Sequence, residues 1–403
     1  MDAGRLLGRV ASAARVAWGA SGAPGRVAGG PLYAQISIAD ACDHRCIMCP
    51  YHPPTEPRAP ERWFAGAPPG LMARDVYARV VRELAALGTW RVDLVGRGEP
   101  LLHPDVVGMV RLARDAGLDV AITSNGSRLD ATMAEALVDA GVAALRISVD
   151  AGTPATYAAV HAGEAPESLA RLVKGIAHAA DHRALRGERA TPKLTVSFTL
   201  GRENVGELDA MLDLAVAARA DAAFFQHVLP MTERARAMAL DEASWQAMLR
   251  DVLPGLADRA ARLGLETNLA ELRATPPTRP VEGTTPERCY VGYYFTVVLA
   301  SGAVLPCCQT ETPLGNAAAT GFTRAWRGEP YETFRRAARR LPERHEALAT
   351  SACDRCYFRP HNLAVDRVVR PLARRATPSG TPASSAPVVT ADQLVRMSRV
   401  RGR

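Results

Sequence analysis

The stretch "ISIADACDHRCIMCPYHPP", residues 36–54, places three cysteines within eight positions, spaced C-x3-C-x2-C. A closed tetrahedral metal site takes four protein ligands. Three thiolates can instead hold a 4Fe–4S cube by three of its irons and leave the fourth iron open to a small molecule. The spacing of Cys42, Cys46 and Cys49 therefore favours a reactive iron–sulfur site over a structural one.

The chain on either side of this stretch alternates strand-like and helix-like segments. Apolar runs predict strands at residues 33–39, 91–96, 118–124, 144–150, 193–200 and 222–228. Helical periodicity predicts helices at residues 74–87, 104–116, 130–140, 168–185, 205–219 and 241–263. Strands separated by helices of this length indicate an α/β fold with a parallel sheet and right-handed crossovers.

Polar or glycine-rich loops follow the first four predicted strands. The cysteine loop is followed in order by "GRGEP" at 96–100, "SNG" at 124–126 and "SVDAG" at 148–152. The carboxyl ends of parallel strands meet at one rim, so we expect these loops to form a substrate site. "GRGEPL" is not a dinucleotide fingerprint, because Leu101 stands where the third glycine is needed.

The cysteine loop and the GEP element together resemble the radical S-adenosylmethionine (SAM) superfamily. The resemblance implies a partial (βα)6 TIM-like barrel over residues 33–228. It implies that Cys42, Cys46 and Cys49 hold a 4Fe–4S cluster whose open iron binds SAM. It also implies reductive cleavage of SAM to a 5′-deoxyadenosyl radical, with an electron donor such as flavodoxin or ferredoxin. The alternative is a zinc site completed by His44 or His52.

The resemblance also assigns residues that contact SAM. It places Gly98, Glu99 and Pro100 at the SAM amino group, where a carboxylate suits an ammonium. It places further SAM contacts at the ends of strands three and four and beside the third cysteine. These residues are Ser124 and Asn125, Ser148 and Asp150, and Met48. The alternative for Asp150 is a structural role as a helix cap. We expect His103 to brace its loop rather than to do chemistry.

A second cysteine set lies beyond a Pro-rich segment. A β-hairpin is predicted at 292–308, turning at 301–302, followed by a helix near 322–340. Four thiolates make a closed site, either zinc or a fully ligated cluster; they are Cys289, Cys307, Cys353 and Cys356. The pattern resembles the Twitch form of the SPASM-type extension, which implies one auxiliary 4Fe–4S cluster.

One cysteine remains outside both sets. Cys308, or Cys307 if its neighbour is the ligand, would be a free thiol. A thiol near a radical site could donate a hydrogen atom, as an epimerase would require. The alternative is a small buried side chain on the other face of the strand.

These signals divide the chain into five segments. We predict a basic amphipathic segment at 1–32, the barrel at 33–273, a linker at 274–288, the auxiliary domain at 289–360, and a basic, largely disordered tail at 361–403. Clustered cysteines in a chain too poor in cysteine for a disulfide scaffold indicate a reducing, cytoplasmic location.

The charge distribution bears on partners. The net charge of +7 is made up of +3 in residues 1–34, +7 in residues 357–403 and −3 between them. A core of this charge does not favour nucleic-acid binding. No apolar run is long enough for a transmembrane helix, while the basic ends leave peripheral contact with a membrane surface or an acidic partner open.

The single auxiliary cluster suggests the reaction by comparison within the family. We expect oxidation of an alcohol in a carbohydrate or aminocyclitol, with His227 at the end of strand six as the general base. A histidine satisfied within the barrel is the alternative for His227. Peptide modification of the maturase type and sugar epimerisation are the alternative reactions, and a non-catalytic zinc-binding protein is the remote one.

Overall fold

The computed structural model describes residues 3–22, 27–52, 54, 70–187, 191–274, 288–343, 345–351, 353, 356 and 358–375. The predicted linker lies almost entirely outside these residues, and so does the chain beyond residue 375. None of the described helices combines the length and the apolar character that crossing a membrane requires.

Ten strands in the described residues form one sheet in the order β10-β9-β8-β1-β2-β3-β4-β5-β6-β7. The strands are β1 Tyr33–Ile36, β2 Arg91–Leu94, β3 Asp119–Ser124, β4 Ala144–Ser148, β5 Lys193–Leu200, β6 Ala222–His227, β7 Glu266–Thr267, β8 Phe295–Val298, β9 Ala303–Leu305 and β10 Gly315–Asn316.

Helices alternate with these strands. They are α1 Ala3–Ser21, α2 Arg74–Ala86, α3 Val106–Asp115, α4 Ala131–Asp139, α5 Pro154–Val160, α6 Glu167–Ala184, α7 Leu208–Ala217, α8 Glu233–Met238, α9 Glu242–Ala247, α10 Leu253–Arg262, α11 Leu269–Ala274, α12 Val291–Tyr294, α13 Ala317–Thr320, α14 Phe322–Arg327, α15 Glu329–Arg339 and α16 Arg359–Arg375. Helix α2 shows why they form: Tyr77, Val80, Val81 and Leu84 recur on one face and are buried against the sheet.

Strands β1 to β6 pair in parallel and in chain order. This confirms the predicted α/β parallel sheet, and each predicted strand is present within a few residues. The carboxyl ends of the strands therefore share one rim, which carries the cysteine loop and the three polar loops.

The predicted hairpin is present but does not stand apart from the barrel. Strand β8 pairs in parallel with β1, from Tyr33 opposite Phe295 to Ile36 opposite Val298. Strand β9 then pairs antiparallel with β8. The auxiliary region thus continues the sheet of the barrel and is fixed directly beside the strand that leads into the cysteine loop.

Helices α1 and α16, the first and last in the described residues, pack against each other. Helix α1 is amphipathic as predicted, and its apolar face, including Ala13, Val16 and Ala20, is buried. It packs against α16 and α12. Residues 361–375, which we predicted as part of a disordered tail, belong to α16, because Val365 and Val369 bury an apolar stripe that the surrounding arginines obscure in the sequence.

Candidate functional site: two cysteine clusters on one sheet

The first cysteine cluster follows β1 and is anchored across the barrel. Cys46 forms a β-bridge with His161, and the Ile47 amide donates to the Val160 carbonyl at 2.9 Å. The Cys49 amide donates to the Cys46 carbonyl at 3.0 Å and closes a turn. This anchoring holds the C-x3-C-x2-C loop against the end of α5.

The three thiols occupy a site that disfavours their charged forms. Burial raises the pKa of Cys42 to about 12 and raises the pKa values of Cys46 and Cys49 as well. Charge repulsion between the thiols also raises the pKa values of Cys42 and Cys46. Bound iron would offset both costs, because a coordinating thiol is deprotonated by the cation. The donor set therefore fits an iron–sulfur cluster.

Gly98 permits the second polar loop to touch the cysteine loop. A Cβ at this position would lie 2.3 Å from the Ala41 carbonyl oxygen and 2.6 Å from that of Ala39. The amide of Glu99 donates to the Ala41 carbonyl at 2.8 Å. Only glycine allows this approach without a backbone shift, so the GEP element and the cysteine loop form one unit.

The Glu99 carboxylate binds three donors within the protein. Oε1 accepts from the Leu101 amide at 2.8 Å and the Ser124 hydroxyl at 2.7 Å, and Oε2 accepts from the Asn125 amide at 2.7 Å. Burial raises the pKa of Glu99 to about 7, although these hydrogen bonds act in the opposite direction. The structure thus brings together the predicted residues of strands two and three. It shows the Glu99 side chain bracing loops, which sequence reasoning did not anticipate.

Asn125 extends this network to the cysteine loop. Its Nδ2 donates to Asp43 Oδ1 at 2.8 Å and lies 3.8 Å from Cys42 Sγ. The Ser127 hydroxyl donates to Asp43 Oδ2 at 2.7 Å. Asp43 therefore ties the loop after β3 to the first cysteine.

The loop after β4 is held by Asp150. This residue has φ of 56°, is buried, and accepts the Thr199 amide on Oδ1 at 2.6 Å. The Asn204 side chain donates to the Asp150 carbonyl at 2.7 Å. The cap of the next helix is Thr153, so the alternative of Asp150 as a cap is not found. Asp150 and its neighbour Ser148 remain predicted SAM contacts.

His161 is a residue that sequence reasoning missed. It is fully buried; its Nε2 lies 3.0 Å from the Val149 carbonyl and its Nδ1 3.1 Å from Cys46 Sγ. The ligand atoms of His44, Cys46 and His161 all lie within 4.8 Å of one another. A zinc site would use two histidines here but only one of the three predicted cysteines. The sequence carries no signal for His161, because it lies 115 positions from its partner.

The remaining predicted residues near the rim differ in their placement. His103 braces its loop as expected, since Nδ1 accepts the Asp105 amide at 3.1 Å and Nε2 lies 3.0 Å from the Met72 carbonyl. Met48 packs beside a small buried cluster that includes Ile47 and Val228. Its predicted contact with adenine remains a prediction.

His227 lies at the end of β6 and contacts a helix that follows this strand. Its ring packs edge-on against Trp245 of α9, with ring centroids 4.6 Å apart. Side chains alternate along a strand, and Gln226 on the other face reaches Thr199 Oγ1 at 3.1 Å. His227 thus points toward Trp245 and away from the face of Gln226, because one step along β6 reverses the side-chain direction. Its expected role as the general base stays a prediction.

The second cluster surrounds an enclosed cavity. Its lining includes all four predicted cysteines, Cys289, Cys307, Cys353 and Cys356. Burial raises the pKa values of Cys289 and Cys307 and raises that of Cys356 to about 12. Four thiols lining one cavity, with Cys307 buried and the other three half-buried, fit a fully ligated metal centre.

Cys308 follows the auxiliary cysteine Cys307 directly in the chain. It raises the pKa of Cys307 and also that of Tyr51, whose amide donates to Cys49 Sγ at 3.4 Å. Its side chain is half-buried. Cys308 thus acts electrostatically on Cys307 and on the phenol of Tyr51, and its chemical role stays open.

Comparison with known families matches both regions. The profile of the radical SAM superfamily matches residues 36–215, and the SPASM profile, described as an iron–sulfur cluster-binding domain, matches residues 289–357. The first match contains the C-x3-C-x2-C loop and the GEP element, and the second contains all four auxiliary cysteines.

Individual relatives differ in how much of the chain they match. A GTP 3′,8-cyclase from Marinobacter nauticus is 33% identical over 202 residues, which cover 50% of this chain and 55% of the relative. The chain thus matches about half the length of such cyclases. A PqqA peptide cyclase from Rhodopseudomonas palustris is 30% identical over 307 residues, which cover 73% of this chain and 72% of the relative.

A solved structure shares the fold across most of the chain. The crystal structure of Streptococcus suis SuiB bound to S-adenosylmethionine superposes with a TM-score of 0.58 at 15% identity, covering 84% of this chain and 75% of SuiB. The matched families imply SAM, a 4Fe–4S cluster in the barrel and iron–sulfur chemistry in the auxiliary region, which confirms the predicted cofactors. The chain belongs to the radical SAM superfamily and carries a SPASM-type cluster-binding region.

Proposed function

We propose that this radical SAM enzyme modifies a peptide and forms a new bond within it. The observation that carries the proposal is the extent of its similarity to a PqqA peptide cyclase, which spans 73% of this chain. The similarity to the GTP 3′,8-cyclase covers only half of the chain. Oxidation of a carbohydrate or aminocyclitol, our expectation from sequence, gains no support from these cyclase relatives.

Cys42, Cys46 and Cys49 would hold the barrel cluster. When bound there, the cluster and SAM together supply the 5′-deoxyadenosyl radical that removes a substrate hydrogen atom. The protein holds the three loops around them in place. Gly98 brings the GEP backbone against the cysteine loop, and the Glu99 carboxylate fixes Ser124 and Asn125. This preorganisation favours one orientation of SAM and of the peptide.

The auxiliary cysteines would act in a different way. Four thiolates leave no coordination position for substrate, which suits electron storage rather than substrate binding. Closing a bond after the loss of one hydrogen atom requires removal of one further electron and one proton. We therefore assign electron acceptance to the site formed by Cys289, Cys307, Cys353 and Cys356. A flavodoxin or ferredoxin remains our proposal for the external reductant.

The test uses the anaerobically reconstituted chain with SAM and a chemical reductant. The PqqA peptide, GTP and 2-deoxy-scyllo-inosamine are compared as substrates at equal concentration. The proposal predicts that the peptide stimulates 5′-deoxyadenosine release and yields a product lighter by two hydrogens. Stimulation by GTP or the aminocyclitol, with the peptide inert, would contradict it. The Cys46→Ala chain is the control for uncatalysed SAM breakdown.

A further inference from the structure

Asn362 lies beside the auxiliary cysteines although it falls outside the predicted auxiliary domain. It is in the second turn of α16 and is 5% exposed. Its Nδ2 lies 3.6 Å from Cys289 Sγ, within the range of a hydrogen bond to sulfur. The Asn362 side-chain amide therefore contacts Cys289, which is one of the four predicted ligands of the auxiliary cluster.

The orientation of the Asn362 amide is determined by its other partner. The backbone amide of Tyr290 donates to Asn362 Oδ1 at 2.8 Å, and the Tyr294 hydroxyl lies 3.5 Å from the same oxygen. A backbone N–H can only donate, so the oxygen must face Tyr290. The nitrogen, which can only donate, must then face Cys289.

The contact has a counterpart in the barrel that is differently arranged. Asn125 Nδ2 lies 3.8 Å from Cys42 Sγ, but the same nitrogen donates to Asp43 at 2.8 Å. A carboxylate is a stronger acceptor than a thiol, so the Asn125 amide donates mainly to Asp43. Among the described residues, Asn362 Nδ2 donates to no competing acceptor, and its donation goes to sulfur.

We propose that Asn362 is a positioning residue that donates an N–H···S hydrogen bond to Cys289 and raises the reduction potential of the auxiliary cluster. The role rests on the proposed function, because it requires a cluster held by Cys289. Reduction adds negative charge to the cluster and its thiolates, so a donor to a ligand sulfur stabilises the reduced form more than the oxidised form. The effect makes the auxiliary site a better electron acceptor.

The experiment measures potential rather than activity. Redox titrations followed by electron paramagnetic resonance are run on the reconstituted Cys46→Ala chain, in which the auxiliary cluster remains, and on the same chain with Asn362→Asp or Asn362→Leu. We expect both to lower the ratio of reduced to oxidised cluster at a given potential, by up to about tenfold, which is about 59 mV for a one-electron couple. Tyr290→Phe is the matched control. This substitution removes the 2.6 Å hydrogen bond from the Tyr290 hydroxyl to Asp366, which lies on α16 as Asn362 does. It keeps the contact between Asn362 and Cys289, so the reduction potential of the auxiliary cluster should not change.

The outcomes separate this role from the proposed function. An unshifted potential in Asn362→Leu at full iron content overturns the role of Asn362 alone. A shift in Asn362→Asp without one in Asn362→Leu overturns it as well, because added charge then explains the result. A Cys46→Ala chain that takes up no iron overturns the auxiliary cluster itself. An equal shift in Tyr290→Phe would show that helix docking, not the hydrogen bond to sulfur, sets the potential.

Discussion

Both cysteine clusters offer thiols as ligands, but the side chains that surround the thiols differ between the two. The barrel cluster uses three thiols in a loop whose partners are polar side chains, Asn125 after β3 and His161 after α5. The auxiliary cluster uses four thiols around an enclosed cavity that is otherwise lined largely by apolar side chains, including Phe334, Leu341 and Phe358. The polar rim suits a site that must admit SAM and substrate, and the apolar enclosure suits a site that exchanges only electrons.

The sheet explains how two such sites can act on one substrate. Strand β1 leads into the barrel cysteines, and its neighbour β8 belongs to the region that carries the auxiliary cysteines. A shared sheet fixes the separation of the two sites without a flexible joint. If the barrel site cleaves SAM and the auxiliary site accepts an electron, each site can be disabled without the other, and the two losses should have different consequences.

Removing one ligand from each site should give the largest and clearest contrast. We expect Cys46→Ala to lower 5′-deoxyadenosine formation about a thousandfold or more, to the uncatalysed background. Cys353→Ala should retain deoxyadenosine formation within about tenfold while the modified peptide disappears. Each variant should keep roughly four of roughly eight irons per chain. Chromatography of both products and an iron assay check this, and coupled loss of both products in both variants would contradict separate roles.

Gly98→Ala should weaken the barrel site by displacing one loop from another. The added Cβ would lie 2.3 Å from the Ala41 carbonyl, so backbone must move, at a cost of about 1–3 kcal/mol in unfolding free energy. Gly206→Ala is the control, because no atom lies within 4 Å of its Cβ position. Urea unfolding and calorimetric SAM titration compare the two. Equal effects would mean that the contact between the loops does not matter.

Glu99 gives the barrel site a pH dependence in the metal-free chain. Its pKa is raised from 4.5 to about 7 by burial, so the folded chain keeps a proton that the unfolded chain has lost over that interval. The stabilisation is complete below pH 4.5 and is lost as pH rises through 7. Unfolding free energy of the parent should therefore fall across this interval, relative to Glu99→Gln, by about 3 kcal/mol, because each pKa unit corresponds to about 1.4 kcal/mol. Parallel curves for the two proteins would argue against a raised pKa.

The strands and the first cysteine set were predictable because their signals are local, whereas the second set, which spans Cys289 to Cys356, was assigned through a family resemblance. Buried strands read as short apolar runs, and ligand spacing within one loop can be read directly, as for Cys42, Cys46 and Cys49. What could not be predicted depends on distant pairing. The β1–β8 pairing, the contact between His161 and Cys46, and the placement of Asn362 on α16 all join segments far apart in sequence.

The direction of a side chain at a strand end was also beyond the sequence. The end of β6 was predicted correctly, and both Gln226 and His227 lie there. Which of them faces the interior depends on a single step in the alternation of the strand. A histidine is chemically the better base, so the sequence favoured His227, whereas its packing against Trp245 could not be predicted from the sequence.

Replacing His227 should therefore have the smallest effect. His227→Phe keeps a ring against Trp245, with which the histidine ring makes an edge-on contact at 4.6 Å, so we expect product formation within about threefold of the parent. Loss of a general base would cost about 10²- to 10⁴-fold and would remove an inflection near neutral pH from the rate profile. Rate measurements across pH distinguish the two cases. A large loss with a flattened profile would return His227 to the reaction and would mean that the rim rearranges when substrate binds.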